Sequence, residues 1–351
     1  MENLIFKLWF CDLPIKNSLK IDILNNGFKP EEFWNLSLKD YIQAGIDITN
    51  CQLIDKSKNI NKYSEISEYI KKEEVEFVLY SDVEYPKRLR HIYNPPVGLF
   101  FKGNLIDVEN SIAIVGSRKA SEYGKTAAYK LSYELGKRGI TVISGLARGI
   151  DGCAHFGCLD AGGYTIGVMG SGFKYIYPAE NRKLFMDIAK HGCVITEYYP
   201  DIRPFAHNFP ERNRIISGIS KYVLVVEAGE KSGSLITATL ALEQGKDVFA
   251  VPGNIFSPNS LGTNNLIKDG AKLISRVEDI LEEFSIDEYI ITTSKNNVES
   301  KIIDLLKNGA MTIWDLSSQS GMAIDELLSN LSRLECGGII KRAYGNYYIL
   351  C

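Results

Sequence analysis

Arg118 stands where this sequence could do its most distinctive chemistry. The stretch IAIVGSRKASEYG, residues 112–124, runs from an apolar segment through Gly116-Ser117-Arg118 into a helical pattern. Small residues between a strand end and a helix start are how a chain cradles phosphate on backbone N–H groups. Spacing excludes two common cradles. A dinucleotide loop needs G-x-G-x-x-G, and here Arg118 fills the place of the second glycine, blocking close approach of a pyrophosphate. A nucleoside-triphosphate loop needs G-x-x-x-x-G-K-[ST]. Gly124-Lys125-Thr126 resembles its end, but Lys119 stands where its first glycine belongs. What remains is a planar, permanently charged fork offered to phosphate oxygens.

Other loops carry matching residues: SGLARGID from 144, GSGFKYIYP from 170, EAGEKSGS from 227 and PGN from 252. They supply the candidates Gly145, Arg148, Gly170, Ser171, Gly172, Phe173, Lys174, Ser232, Gly233 and Ser234. RPFAHNFPERNR adds Arg212, Asn213 and Arg214, with Phe205, His207 and Phe209 interleaved. Basic side chains beside aromatic rings suit single-stranded nucleic acid, whose bases are free to stack. Tyr175, Tyr177 and Tyr199 are further stacking candidates. Each residue also has a structural reading. Arg212 and Arg214 could pair with Glu211 or Glu227, Phe205 and Phe209 could be core, and Asp151 suits a helix N-cap. His155 and His207 have no serine or cysteine in a triad-like arrangement and read as structural.

The elements that must position these residues follow from periodicity. Residues 1–62 show apolar positions three or four apart, the mark of a small helical domain, and KSKNINKYS from 56 reads as a linker. Over 63–285, apolar runs at 77–80, 111–115, 141–143, 164–169, 194–196, 222–226 and 247–251 alternate with helical patterns. That alternation predicts an α/β fold: an extended Rossmann-like parallel sheet flanked by helices. Ligands of such sheets bind outside the carboxyl ends of the strands, where the glycine-serine loops fall. Residues 298–351 read as three helices and a β-hairpin, a winged helix.

Bulk properties narrow the class further. Net charge is −3, against a protein that coats DNA over its whole surface. The balance is local: Pro86 to Lys119 holds six Lys/Arg against two Asp/Glu, and Arg276 to Glu299 holds seven acids against two bases. No apolar run approaches the ~20 residues of a membrane span, and the start lacks a signal-peptide pattern, so no membrane and a cytoplasmic location are expected. The seven cysteines include no C-x-x-C pair. Cys153 and Cys158 flank His155, but nearby ligands are few, and no metal and no cofactor are expected.

The blocks YPKRLRHIYNPPVGLFFKGN, IAIVGSRKASEYG, VISGLARGIDGCAH, GSGFKYIYPAENRKL, FPERNRIISGIS and GSLITATLALEQGKDVFAVPGN occur in one order from about Tyr85 to Ile274. In that order they resemble the DNA-processing protein A (DprA, or Smf) family. The resemblance implies an extended Rossmann-like domain that binds single-stranded DNA without sequence preference and forms a homodimer. It implies a recombination mediator that loads the RecA recombinase onto incoming strands during natural transformation. It maps Arg118, Phe173, Lys174 and residues 212–214 to the family's DNA pocket. Two departures are visible. LPIKNSLK lacks the Gly-x-Gly turn of a DNA-binding helix-hairpin-helix. The expected recognition helix, 323–335, sets Asp325, Glu326 and Glu335 against Arg333 alone, which phosphates would repel.

The sheet also resembles that of nucleotide phosphoribohydrolases of the lysine-decarboxylase-like group. Those enzymes carry a glutamate after a Pro-Gly-Gly-x-Gly-Thr loop. The equivalent segment here is EAGEKSGSLITA, with Thr237 where the acid would stand, so no hydrolase activity and no catalytic residue are expected.

Overall fold

The computed structural model describes residues 2–284, 297–307, 309–336, 340–343 and 347–350. By contact density the chain forms two compact units, Met1–Asp279 and Ile280–Cys351.

The first unit opens with six helices: α1 (Glu2–Cys11), α2 (Asn17–Asn25), α3 (Pro30–Asn35), α4 (Leu38–Gln43), α5 (Ile48–Lys56) and α6 (Ile60–Lys72). Ser37, Asp47 and Asn59 cap three of them, each accepting from a backbone N–H three residues on. The expected linker from 56 is a tight turn into α6, pinned where the Trp9 indole N–H donates to Ser57 Oγ at 2.8 Å. The expected boundary at 62 therefore falls inside α6.

The sheet follows: β1 (Glu76–Leu79), β2 (Gly98–Gly103), β3 (Ser111–Val115), α7 (Glu122–Lys137), β4 (Thr141–Ser144), α8 (Ile150–Asp160), β5 (Thr165–Val168), α9 (Arg182–His191), β6 (Cys193–Thr196), α10 (Asn208–Ile219), β7 (Tyr222–Val225), α11 (Gly233–Glu243), β8 (Val248–Ala250), α12 (Leu261–Lys268), β9 (Lys272–Leu273) and α13 (Glu278–Phe284). The nine strands run in the order β1-β2-β6-β5-β4-β3-β7-β8-β9. The seven from β6 to β9 in that order pair in parallel, and their buried runs are apolar because helices cover both faces. The expected parallel sheet is extended at one edge by β1 and β2, which pair antiparallel. Alternate residues of β2 feed two cores. Leu99 and Phe101 join one, and Phe100 joins the other with the N-terminal helices.

Strand order reverses at β3. The chain steps from β3 through β4 and β5 to β6, then returns to place β7 on the other side of β3. The crevice between the carboxyl ends of β3 and β7 is the topological switch point, where open α/β sheets bind ligands.

The second unit begins within α13 and contains α14 (Asn297–Leu306), β10 (Met311–Thr312), α15 (Ile313–Ser320), α16 (Ile324–Cys336), β11 (Ile340–Ala343) and β12 (Tyr347–Leu350). Its strands form a small antiparallel sheet ordered β10-β12-β11 around a core that includes Ile302, Leu316, Leu327, Leu331 and Tyr348.

Candidate nucleic-acid interface

A cleft of about 770 Å³ opens at that switch point. One wall is the loop after β3, held from beneath: the Ser117 N–H donates to the Glu227 carbonyl at 2.7 Å, and the Ile150 N–H to the Ser117 carbonyl at 3.3 Å. The backbone is thus fixed while Arg118 is exposed. Its guanidinium lies 5.1 Å from the centre of the Phe209 ring, and no acid or carbonyl among the described residues bonds to it. Phe209, half-buried, also meets Tyr177 with ring centres 5.5 Å apart. The far wall is the start of α11. There Ser232 caps the helix, its hydroxyl lies 2.8 Å from that of Ser234, and the Asn213 amide donates to the Gly233 carbonyl at 3.4 Å. Lys119 and Lys231 also line the cleft, both exposed. Three cations, a ring and two hydroxyls face one volume, at the positive end of a helix dipole.

Gly116, Ser117, Arg118, Asn213, Ser232, Gly233 and Ser234 therefore come together. Arg212 reaches the same cleft but its charge is spent inside. It is 3% exposed and donates to the carbonyls of Gly145, at 2.7 Å, and Val168, tying the ends of β4 and β5. Burial lowers its pKa to about 10, opposed by the nearby Asp151. Asp151 is buried at the start of α8, accepts from the Gly145 and Ala147 N–H groups at 3.2 and 3.4 Å, and is pushed up by desolvation.

The remaining sequence candidates lie elsewhere. Arg214 pairs with Glu197 in a neighbouring recess, rather than with Glu211 or Glu227. Arg148 pairs with Glu180. Phe173 is 7% exposed and packs on Phe185 in the core, so it offers no face to a base. Lys174 sits over Tyr69 of α6, 5.0 Å from the ring centre, outside the cleft. Ser171 donates to the Tyr175 carbonyl at 2.7 Å and shapes its own loop.

Most strand-end glycines answer to protein neighbours. A Cβ on Gly116 would meet Ile150 at 2.5 Å, one on Gly145 the Arg212 guanidinium at 2.6 Å, and one on Gly172 the Tyr199 carbonyl at 1.9 Å. A Cβ on Gly170 would meet the Phe209 ring at 3.0 Å. Gly233 alone among these candidates faces open space. The N-terminus of α7, which follows the Arg118 loop, is already answered. Glu227, 2% exposed, accepts from the Ser121 N–H at 2.8 Å and from its hydroxyl, at the helix cap. The basic run from Pro86 is likewise drawn inward. Arg88 donates to the Val108 and Glu109 carbonyls, Arg90 to the Asp82 carbonyl and Lys102 to the Glu73 carbonyl. Lys119 and Lys231 carry exposed charge into the cleft instead. Neither stands out as a ligand in the sequence, although both flank the small residues of strand-end loops.

The family model for DNA recombination-mediator protein A matches residues 76–285. DNA processing protein DprA of Bacillus subtilis is 49% identical over 205 residues, covering 58% of this chain and 69% of that protein. Protein Smf of Escherichia coli is 39% identical over 277 residues, covering 75% of this chain and 74% of its own length. The crystal structure of DprA from Streptococcus pneumoniae superposes with a TM-score of 0.68 at 35% identity, over 81% of this chain and 99% of that one. A DprA structure from Helicobacter pylori, described for its single-stranded DNA binding mode, gives a TM-score of 0.54 at 31% identity, over 60% and 95%. The chain belongs to the DprA family of DNA recombination mediators.

Proposed function

We propose that this protein grips single-stranded DNA in the switch-point cleft and, as a homodimer in the cytoplasm, loads RecA recombinase onto incoming strands during natural transformation. The observation that carries the reading is Arg118: an exposed guanidinium held against a ring, on a fixed loop, with no acid among the described residues in direct ion-pair contact, the buried Asp151 acting on it only from a distance. One nucleotide can satisfy both groups, its phosphate on the fork and its base beside Phe209 and Tyr177. Lys119 and Lys231 then meet adjacent phosphates, and the start of α11 offers hydroxyls and N–H groups. The H. pylori relative's described single-stranded DNA binding supports the same ligand here.

Chemistry is not part of the proposal. Thr237 lines the cleft where the phosphoribohydrolases carry an acid, and the Glu227 carboxylate is tied to Ser121. We read the second unit as a winged helix that contacts protein, because Asp325, Glu326 and Glu335 are exposed along α16.

Binding of a labelled oligo-dT and of a duplex of equal length, compared at physiological salt, tests the reading. The single strand is expected to bind much more tightly, because paired bases cannot reach Phe209. Equal affinity for the duplex contradicts the cleft as the site. Release of ribose 5-phosphate from a nucleoside monophosphate above a buffer control contradicts the absence of catalysis.

A further inference from the structure

The loop between β6 and α10 presents a second pair of rings outside the cleft. Phe205 is 51% exposed, and its ring stacks on His207 with centres 5.7 Å apart and planes 4° from parallel. Neither ring belongs to a core cluster of the described residues. Exposed single phenylalanines are ordinary. A parallel stack held out from the surface is less so when the backbone beneath it is built to keep it there. Buried Asn208 does the holding: its amide donates to the Gly170 carbonyl at 3.0 Å and the Arg203 carbonyl at 3.2 Å. The Phe205 N–H closes on the Arg203 carbonyl at 2.8 Å, and the Asn208 N–H on the Phe205 carbonyl at 3.1 Å. Arg203, exposed, lies 5.8 Å from the Tyr175 ring centre, and no acid pairs with it among the described residues.

The platform adjoins the cleft. Pro204 and Ala206, on either side of Phe205, both line it, as does Phe209 at the end of the same segment. Cations therefore bracket a run of rings: Arg203, then Phe205, His207 and Phe209 along one loop, then Arg118 beside Phe209. A stack with one free face is extended by another flat ring, and every base has such a face.

We propose that Phe205 and His207 form a second nucleobase platform, with Arg203 meeting the phosphate beside it, so that a strand leaving the Arg118 cleft continues over residues 203–207. This rests on the cleft being the single-strand site. It predicts a length dependence that the cleft alone does not.

The test is a ladder of oligo-dT lengths against the full chain and its Phe205→Ala, Phe205→Tyr and Arg118→Ala variants. Phe205→Ala is expected to match the parent on the shortest oligonucleotides and to lose roughly five- to a hundredfold in affinity on longer ones. Phe205→Tyr restores the loss, and melting temperatures stay equal because the side chain is exposed. Arg118→Ala loses affinity at every length. In Phe205→Trp, indole emission is expected to change on adding long but not the shortest oligo-dT. Affinity of Phe205→Ala equal to the parent at all lengths, or lowered equally at all lengths, overturns the platform while leaving the cleft standing. Failure of Arg118→Ala to weaken binding at any length overturns the cleft, and the platform with it.

Discussion

Two arginines look alike in the sequence and do opposite work in the fold. Arg118 is exposed beside a ring, an interaction worth about 0.5–1 kcal/mol at such a site. Arg212 is buried and bonds two strand-end carbonyls above Asp151. Removing Arg212 would strand an internal charge and two carbonyls, so Arg212→Ala is expected to cost about 3–5 kcal/mol of stability. Arg118→Ala should cost no more than about 1 kcal/mol. Urea unfolding of both variants checks this, and equal losses would contradict the division of roles. His155 gives a pH signature. Its Nδ1 lies 2.8 Å from Thr165 Oγ1, and burial lowers its pKa to about 3. An unfolded chain takes up this proton near pH 6.5 and the folded chain does not, so stability is present above pH 6.5 and is lost as pH falls toward 3. The slope from this one group reaches about 1.4 kcal/mol per pH unit. Asp151 and Glu197, pushed up by burial, act in the opposite direction, so the comparison with His155→Gln isolates the histidine. That variant should lose the corresponding part of the slope between those pH values, and an unchanged slope would contradict the buried neutral ring.

Among the elements, those that periodicity encodes could be read from the sequence. The runs at 111–115, 194–196 and 222–226 became β3, β6 and β7, and the loops after β3 and β7 became the cleft walls. Strand β2 was not legible, because its central residues are buried on both faces, leaving no alternation to detect. Its antiparallel pairing depends on a strand far away in sequence. The glycine-serine loops were legible as a group but not one by one. Phosphate approach and packing against Ile150 demand the same residue type, and only the neighbours separate them. Gly116→Ala places a Cβ 2.5 Å from Ile150 and is expected to cost about 1–3 kcal/mol. Gly233→Ala meets nothing within 4 Å and should change stability by less than about 0.5 kcal/mol. Thermal melts of the pair decide this, and equal losses would contradict the assignment of Gly116 to packing. Nor could the sequence show that Glu227 answers the start of α7, because its partner Ser121 lies 106 residues away.

For the whole molecule, net charge is a poor guide and placement is everything. The chain is acidic overall, yet the switch point collects Arg118, Lys119 and Lys231 on one rim. The second unit carries the opposite balance in its sequence, with exposed Asp325, Glu326 and Glu335 on α16 and exposed Lys341 and Arg342 on β11, the latter 5.5 Å from the Tyr348 ring centre. Reversing both charges, Lys341→Glu with Arg342→Glu, should leave oligo-dT affinity within about twofold, since the grip proposed at Arg118 uses neither side chain. A larger drop would move DNA binding toward the second unit. Single-strand binding as proposed stands on the grip at Arg118, and a salt titration of oligo-dT binding by the parent and by Arg118→Ala measures it most directly. We expect the variant to bind about 1.5–3 kcal/mol more weakly and its slope of log K against log salt to flatten by about 0.7 for each phosphate it no longer neutralises. Unchanged affinity with an unchanged slope would contradict the grip.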